Sequence, residues 1–344
     1  MTIQDELAAT DENITNPSTN YAIAMNPPLL AERLFGTDLA ELDRLNVQRH
    51  GHILTEFRSA EARDVLTEIE VLVTGWGLAP LTDDDLDAAP RLRYVIHAGG
   101  SAGNLLPPSA GRRGILASNA GTANAIPVAE HTLAMILMAN KRAFRAQRLY
   151  AERREHIDRE HEFASAGNYG QTVGIISASR TGRLVIEHLS HFDLRVLVYD
   201  PLLNRREASA LGVTKSGLDA LMAASDVVSV HTPVLPETIG LIGREQLALM
   251  PDGATLINTS RGQIIDQDAL VDELASGRID AVLDVTDPDV LEPTSPLYEL
   301  PNVFLTPHIA GSMGTELRRL GHHVSAELER ITEGKELAFP ESLD

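Results

Sequence analysis

"TVGIISASRTGR", residues Thr172–Arg183, opens on aliphatic and β-branched residues, passes through small polar ones and ends in a helical pattern. That order is a strand running through a tight turn into a helix. In a G-x-G-x-x-G dinucleotide turn, the first glycine permits the turn and the second lets a pyrophosphate approach the backbone. The third lets helix and strand pack closely. Here the first two positions are Ser177 and Ser179, and only Gly182 remains. Ser179 is small, and its hydroxyl can donate to a phosphate oxygen. Ser177 adds a Cβ where glycine is usual, so its φ decides whether the turn is relaxed or strained. Arg180, Thr181 and Gly182 open the helix, whose free amides form a seat for pyrophosphate. Asp200 ends the next strand, 18 residues after Gly182. An acid there accepts from adenosine ribose hydroxyls and repels a 2′-phosphate, which favours NAD over NADP. Any parallel α/β protein can place Ser, Gly and Asp at such ends, so the turn by itself leaves a cofactor site and a plain strand–helix junction both open.

Around this turn lies a series of six expected strands: 172–176, 195–200, 227–231, 254–258, 281–285 and 303–307. Helical stretches separate them, the pattern of a doubly wound parallel sheet of the Rossmann type. An earlier series, "YAIAM", "EVLVTG", "RYVIHAGG" and "GILAS", predicts a smaller doubly wound sheet. Between the two, "AIPVAEHTLAMILMANKRAF" (125–144) reads as one helix with Pro127 in its first turn. It is apolar on almost every face from Leu133 to Met138 and must be covered on more than one side. A last helix, near 315–333, follows the second sheet. The acidic, polar residues 1–19 read as a disordered tail rather than a secretory signal.

The 344 residues carry a formal charge of −20. Such a charge opposes binding to nucleic acid and to anionic membrane surfaces. There are no cysteines, which excludes disulfides, thiolate metal sites and cysteine nucleophiles and fits a cytoplasmic protein. A small anionic substrate then needs a few placed arginines. "LINTSRGQIIDQDAL" supplies one, Arg261, just beyond a strand end, where a guanidinium can grip a carboxylate bidentately. "NVFLTPHIAGS" places His308 at another strand end, suited to proton exchange near neutral pH. "LDVTDPDVLEP" adds Asp284, Asp287 and Asp289 at a third, where an acid can hold the imidazole. Each alone has a bland alternative as a solvated surface residue; three strand ends of one sheet offering Arg, acid and His form a sharper pattern. His156, His161, His188, His191, His322 and His323 are assigned to solvated faces, and no metal site is expected.

With "VAEHTLAMIL", "VLVYDP", "SDVVSVHTPVLPETIGLI", "LINTSRGQIIDQDAL", "LDVTDP" and "LTPHIAGS" in this order, the chain resembles the NAD-dependent D-isomer-specific 2-hydroxyacid dehydrogenases, a group that includes phosphoglycerate and glyoxylate/hydroxypyruvate reductases. The likeness covers nearly everything after residue 20. It implies an α/β fold of two doubly wound domains, with a Rossmann-type NAD domain (121–311) inserted into a smaller flavodoxin-like substrate domain (20–120 and 312–344). It also implies a homodimer. By position, Arg261 would bind the carboxylate and carbonyl of a small 2-oxo or 2-hydroxy acid, and His308 would be the general acid/base. The family's Glu partner of that histidine falls on Asp289, one methylene shorter. Gly99, Gly100 and Ser101 of "HAGGSAG" would offer amides to the substrate carboxylate, and Trp76 would wall the pocket. His231, Thr232, Pro233, Thr259 and Asp284 match cofactor-side positions. The competing expectation is an NAD-binding regulatory or catalytically impaired homologue, which Ser177 and Asp289 favour; a formate or phosphonate dehydrogenase relative is a further one.

Overall fold

The computed structural model describes residues 19–103 and 105–343; residues 1–18, most of the expected tail, lie outside the described residues. The strands of the early series are β1 (Thr19–Ala24), β2 (Val47–Arg49), β3 (Val71–Thr74), β4 (Tyr94–His97) and β5 (Leu116–Asn119). Those of the later series are β6 (Thr172–Ile176), β7 (Arg195–Tyr199), β8 (Thr214–Lys215), β9 (Val227–Val230), β10 (Thr255–Asn258), β11 (Asp280–Leu283) and β12 (Val303–Leu305). The last strand is β13 (Pro340–Glu341). The chain divides into two units, one ending at Ala123 and resuming at Gly314, the other spanning Asn124–Met313.

In the first unit the order is β2-β1-β3-β4-β5, all parallel, with β13 antiparallel on the β5 edge. Counting the parallel strands, this is the 2-1-3-4-5 order of flavodoxin-like sheets. Side-chain alternation explains its two helical layers. Tyr21, Ile23, Val71, Val73 and Ile96 pack with the helices Leu29–Phe35 and Leu317–Thr332. Ala22, Ala24, Leu72, Val95 and Ala117 face the other way, onto Leu66, Leu86 and Leu92. The last helix thus belongs to the first unit.

The second unit has the all-parallel order β8-β7-β6-β9-β10-β11-β12. Its first six strands follow the 3-2-1-4-5-6 Rossmann order, so the expected fold class is found. The chain reverses direction across the sheet between β6 and β9, and ligands of such sheets bind beyond the strand ends at that point. One face buries Val228, Val230, Leu256 and Leu283 beneath Leu221, Leu247 and Leu270. The other buries Val173, Ile175, Val198 and Ile257 beneath Val185, Ile186 and Leu189 of the helix Arg180–Leu189. Each such side chain contributes roughly 1.5–3 kcal/mol relative to exposure.

Two local expectations are corrected. The helix expected from Ala125 begins at Gly121 and ends at Asn140, so Pro127 lies inside it and not in its first turn. Without an N–H, Pro127 leaves the Ala123 carbonyl without its helical partner, close to where the chain passes from one unit to the other. The expected continuation to Phe144 is broken by Arg142, at φ 54°, and a separate helix, Ala143–Arg153, follows.

Candidate active site

The turn after β6 holds its shape through its own polar groups. Ser177 lies at φ 79°, in the left-handed region, where a non-glycine residue costs about 1–3 kcal/mol. Its amide donates to the Tyr199 carbonyl (2.7 Å). Asp200 braces the next step: its Oδ2 accepts from the Ala178 amide (2.8 Å) and the Ser177 hydroxyl (3.3 Å), and its Oδ1 from the Leu202 amide (2.8 Å). Ser179 caps the helix, accepting from the Gly182 amide (3.3 Å) while donating to the His231 carbonyl (2.7 Å). The expectation that this hydroxyl points to a phosphate is therefore corrected; it ties the turn to the end of β9. At Gly182 a Cβ would overlap the Ser177 carbonyl oxygen, so the third glycine of the pattern has no substitute. Among the described residues, nothing accepts from the amides of Arg180 and Thr181. These donors at the positive end of a ten-residue helix, beside the exposed Arg180, fit a pyrophosphate.

A second carboxylate organises the loop after β12. Asp284 is 1% exposed and follows β11. Its Oδ1 accepts from Thr306 Oγ1 (2.6 Å) and the Ile309 amide (2.8 Å), and its Oδ2 from the Ala310 amide (2.8 Å). Its own carbonyl accepts from the His308 amide (3.0 Å). His308 sits at φ 55° within this grip, which presents its imidazole on the surface. Nδ1 of His308 lies 3.2 Å from Asp289 Oδ1, so the shorter acid does reach the ring. Asp287 instead faces Gln267 through its backbone, its amide donating to Oε1 (2.9 Å) and its carbonyl accepting from Nε2 (2.7 Å). An open concavity of about 450 Å³ adjoins the pair, lined by Asp284, Asp289, Tyr298, Phe304 and Pro307 among others.

Arg261 follows β10, and the neighbouring Gly262 sets its turn directly against the Thr286–Asp287 backbone, where any Cβ would clash. Asn258 fixes the turn by donating to the Arg261 carbonyl (2.9 Å). The guanidinium is exposed, with Nη1 donating to the Ser260 carbonyl (2.7 Å). Among the described residues no carboxylate pairs with it, so a surface ion pair does not account for Arg261. Thr259 and Thr132 share a buried hydroxyl contact (2.8 Å), and the Thr232 carbonyl accepts from Ser260 Oγ (2.6 Å). The His231 ring is buried against Ser229 Oγ (2.9 Å), and burial pushes its pKa down to about 3, so it stays neutral. Pro233 is exposed just beyond.

In the first unit, the segment after β4 gathers the other named positions. A Cβ at Gly99 would run into the His97 ring and press on the Trp76 indole nitrogen, and Trp76 is 39% exposed. Gly100 faces open space. The Ser101 hydroxyl donates to Glu341. Among the described residues nothing accepts from the amides of Gly99, Gly100 or Ser101. His97 is buried with Nδ1 on Thr74 Oγ1 (3.0 Å), and burial lowers its pKa to about 4 against an opposing pull from Glu341. Sequence reasoning did not assign roles to His97, Glu341, Gly262 or Thr306. Only Gly262 carried a signal, as the glycine beside a strand-end arginine. Of the histidines assigned to solvated faces, His322 lies 3.6 Å from Glu41, a partner distant in sequence.

This arrangement can be set beside known proteins. Residues 133–310 match the family described as "D-isomer specific 2-hydroxyacid dehydrogenase, NAD binding domain". The chain is 37% identical over 253 residues to a D-3-phosphoglycerate dehydrogenase of Mycobacterium tuberculosis, covering 73% of this chain and 47% of that protein. It is 33% identical over 259 residues to a glyoxylate reductase of Korarchaeum cryptofilum, covering 74% and 78%. A solved D-lactate dehydrogenase from Aquifex aeolicus, complexed with NAD and lactic acid, superposes with a TM-score of 0.70 at 26% identity, covering 91% and 96% of the two chains. The fold and its strand-end site thus define a dinucleotide-binding class. The chain belongs to the D-isomer-specific 2-hydroxyacid dehydrogenase family, and NAD is the cofactor of its second unit. It spans about half the length of the phosphoglycerate dehydrogenases it matches.

Proposed function

We propose that the protein transfers hydride between NAD(H) and C2 of a small 2-oxo or 2-hydroxy acid of D configuration. The observation that carries this reading is the His308–Asp289 contact on a turn held by the buried Asp284. Bound NAD(H) supplies or accepts the hydride. Asp289 accepts from the Nδ1–H of His308, which fixes the tautomer and leaves Nε2 to exchange a proton with the substrate oxygen. In reduction protonated His308 donates to the carbonyl oxygen as it gains charge; in oxidation neutral His308 takes the hydroxyl proton. Arg261, which has no carboxylate partner among the described residues, holds the substrate carboxylate and stabilises charge developing on the carbonyl oxygen. The first unit acts as the substrate domain, with the amides of Gly99, Gly100 and Ser101 receiving the carboxylate and Trp76 forming a wall. Thr259, His231, Thr232, Pro233 and Asp284 line the cofactor, and Asp200 receives the adenosine ribose. A homodimer covers the face of the helix Gly121–Asn140 on which Met138 is 41% exposed. The compartment is the cytoplasm.

Steady-state NADH oxidation with glyoxylate, hydroxypyruvate, pyruvate and bulkier 2-oxo acids tests the proposal. At least one should support turnover, and His308→Ala should lower kcat by about 10²–10⁴-fold without changing the Kd for NADH. The left-handed Ser177 supports a second reading, an NAD-binding protein without turnover. NADH binding by fluorescence with no oxidation across the substrate panel would establish that reading instead.

A further inference from the structure

The last residues of the chain carry a carboxylate into the loop after β4. Glu341 lies on β13, and its Oε1 accepts from the Ser101 hydroxyl and the Gly103 amide (3.2 Å). Its Oε2 accepts from the Ala102 amide (2.8 Å) and from Asn119 Nδ2 (2.8 Å) at the end of β5. Burial raises the pKa of this carboxyl, but the bonds from Ser101, Ala102, Asn119 and Gly103 outweigh it and hold the group below its ordinary value. The group is therefore an anion at neutral pH, fully engaged by four donors.

The segment bearing Glu341 is fixed independently of it. Glu327, 1% exposed on the last helix, accepts from the Ala338 amide (3.0 Å), the Phe339 amide (2.9 Å) and Ser118 Oγ (3.1 Å). The pairings Pro340↔Ser118 and Glu341↔Ala117 continue the sheet, and Leu343 packs against the core beyond. Removal of the Glu341 carboxylate alone leaves these attachments in place.

We infer that Glu341 is a positioning residue for the substrate loop, holding Ser101–Gly103 so that the amides of Gly99, Gly100 and Ser101 stay directed at an incoming carboxylate. This inference rests on the proposed 2-oxo acid function. The division of donors supports it: Glu341 engages the Ser101 side chain and the amides of Ala102 and Gly103, and none of the three amides before them. Four donors also neutralise a charge that would otherwise repel a substrate anion nearby. Ala98 and Ala102 anchor the loop in the core, and the Glu341 carboxylate adds polar bonds to Ser101, Ala102 and Gly103 beside them.

The test uses the full chain. Glu341→Ala should raise KM for the best 2-oxo acid about 10-fold, with kcat and the Kd for NADH within about twofold of wild type. Glu341→Gln keeps the shape and one acceptor, and should recover part of that loss. Hydrogen exchange resolved to Ala102 and Gly103 supplies a readout that needs no turnover: both amides should lose protection in Glu341→Ala and not in wild type. An unchanged KM in an active enzyme, or unchanged exchange at both amides, overturns the inference. A parallel fall in kcat, NADH affinity and melting temperature overturns it in favour of a fold-holding role. Absence of turnover in the wild type overturns the functional reading, while the exchange experiment still decides whether the clamp exists.

Discussion

The second unit solves one problem twice. After β6 and again after β12 the chain turns through a non-glycine residue in the left-handed region, Ser177 at φ 79° and His308 at φ 55°. Each turn is held by an aspartate at the end of an adjacent strand, Asp200 after β7 and Asp284 after β11, accepting amides of the residues that follow. The difference lies in burial. Asp284 is 1% exposed, with all three side-chain partners in the loop it organises, whereas Asp200 is only partly buried and takes one of its three from the chain just beyond its own strand. A buried carboxylate so engaged has its side-chain hydrogen bonds committed to the shape of its loop. A partly buried one keeps some oxygen surface for a ligand while it braces a turn.

The sharpest way to break the parallel is Asp284→Asn. The amide would turn an NH₂ toward either the Ile309 amide or the Ala310 amide, leaving a buried donor unmatched. Stability should fall by about 2–3 kcal/mol. The His308 turn would shift, and turnover should drop about 10²-fold, since small displacements of a reacting group are costly. Urea denaturation and kcat measured on the still-folded fraction check both; wild-type kcat in this variant would remove Asp284 from the account of how His308 is placed.

Asp200→Asn should act more mildly on the fold and more visibly on the ligand. Exposure lets water replace a lost partner, so stability should change by about 1 kcal/mol or less. The Kd for NADH should rise about 10-fold, and the preference for NADH over NADPH should shrink as the repelling charge disappears. Paired fluorescence titrations with the two nucleotides decide it. Equal effects on both would mean that Asp200 only braces the turn.

The same contrast explains what could be read in advance. The six strands of the later series were legible from their runs of β-branched and aliphatic residues, which five of them bury and β12 buries only in part. Strands β2, β8 and β13 were not: they are two or three residues long, largely exposed and without an apolar signature. Among the site residues, Asp289 could be placed beside His308 by spacing and resemblance, and a 3.2 Å contact is there. The inward turn of the Ser179 hydroxyl could not, because its acceptor is a backbone carbonyl 52 residues away, and a carbonyl leaves no mark in the sequence. Glu341 escaped for a related reason, with three of its four donors 238–240 residues distant.

Ser177 brings the comparison to its smallest test. In the proposed mechanism His308 must be a histidine, so its left-handed backbone would come with that role; Ser177 has no such claim, and its hydroxyl makes only a 3.3 Å contact with Asp200. Ser177→Gly removes the Cβ from the left-handed turn and gives back some chain entropy in the unfolded state. The net gain should be up to about 1 kcal/mol. For a unit of this size that is about 2–4 °C in melting temperature. Because Asp200 Oδ2 also loses a competing donor, NADH should bind two- to threefold more tightly, about 0.4–0.7 kcal/mol. A lower melting temperature with weaker NADH binding would show the opposite: that the serine hydroxyl, by helping Asp200 hold the Ala178 amide, stabilises the turn by more than its backbone strain costs.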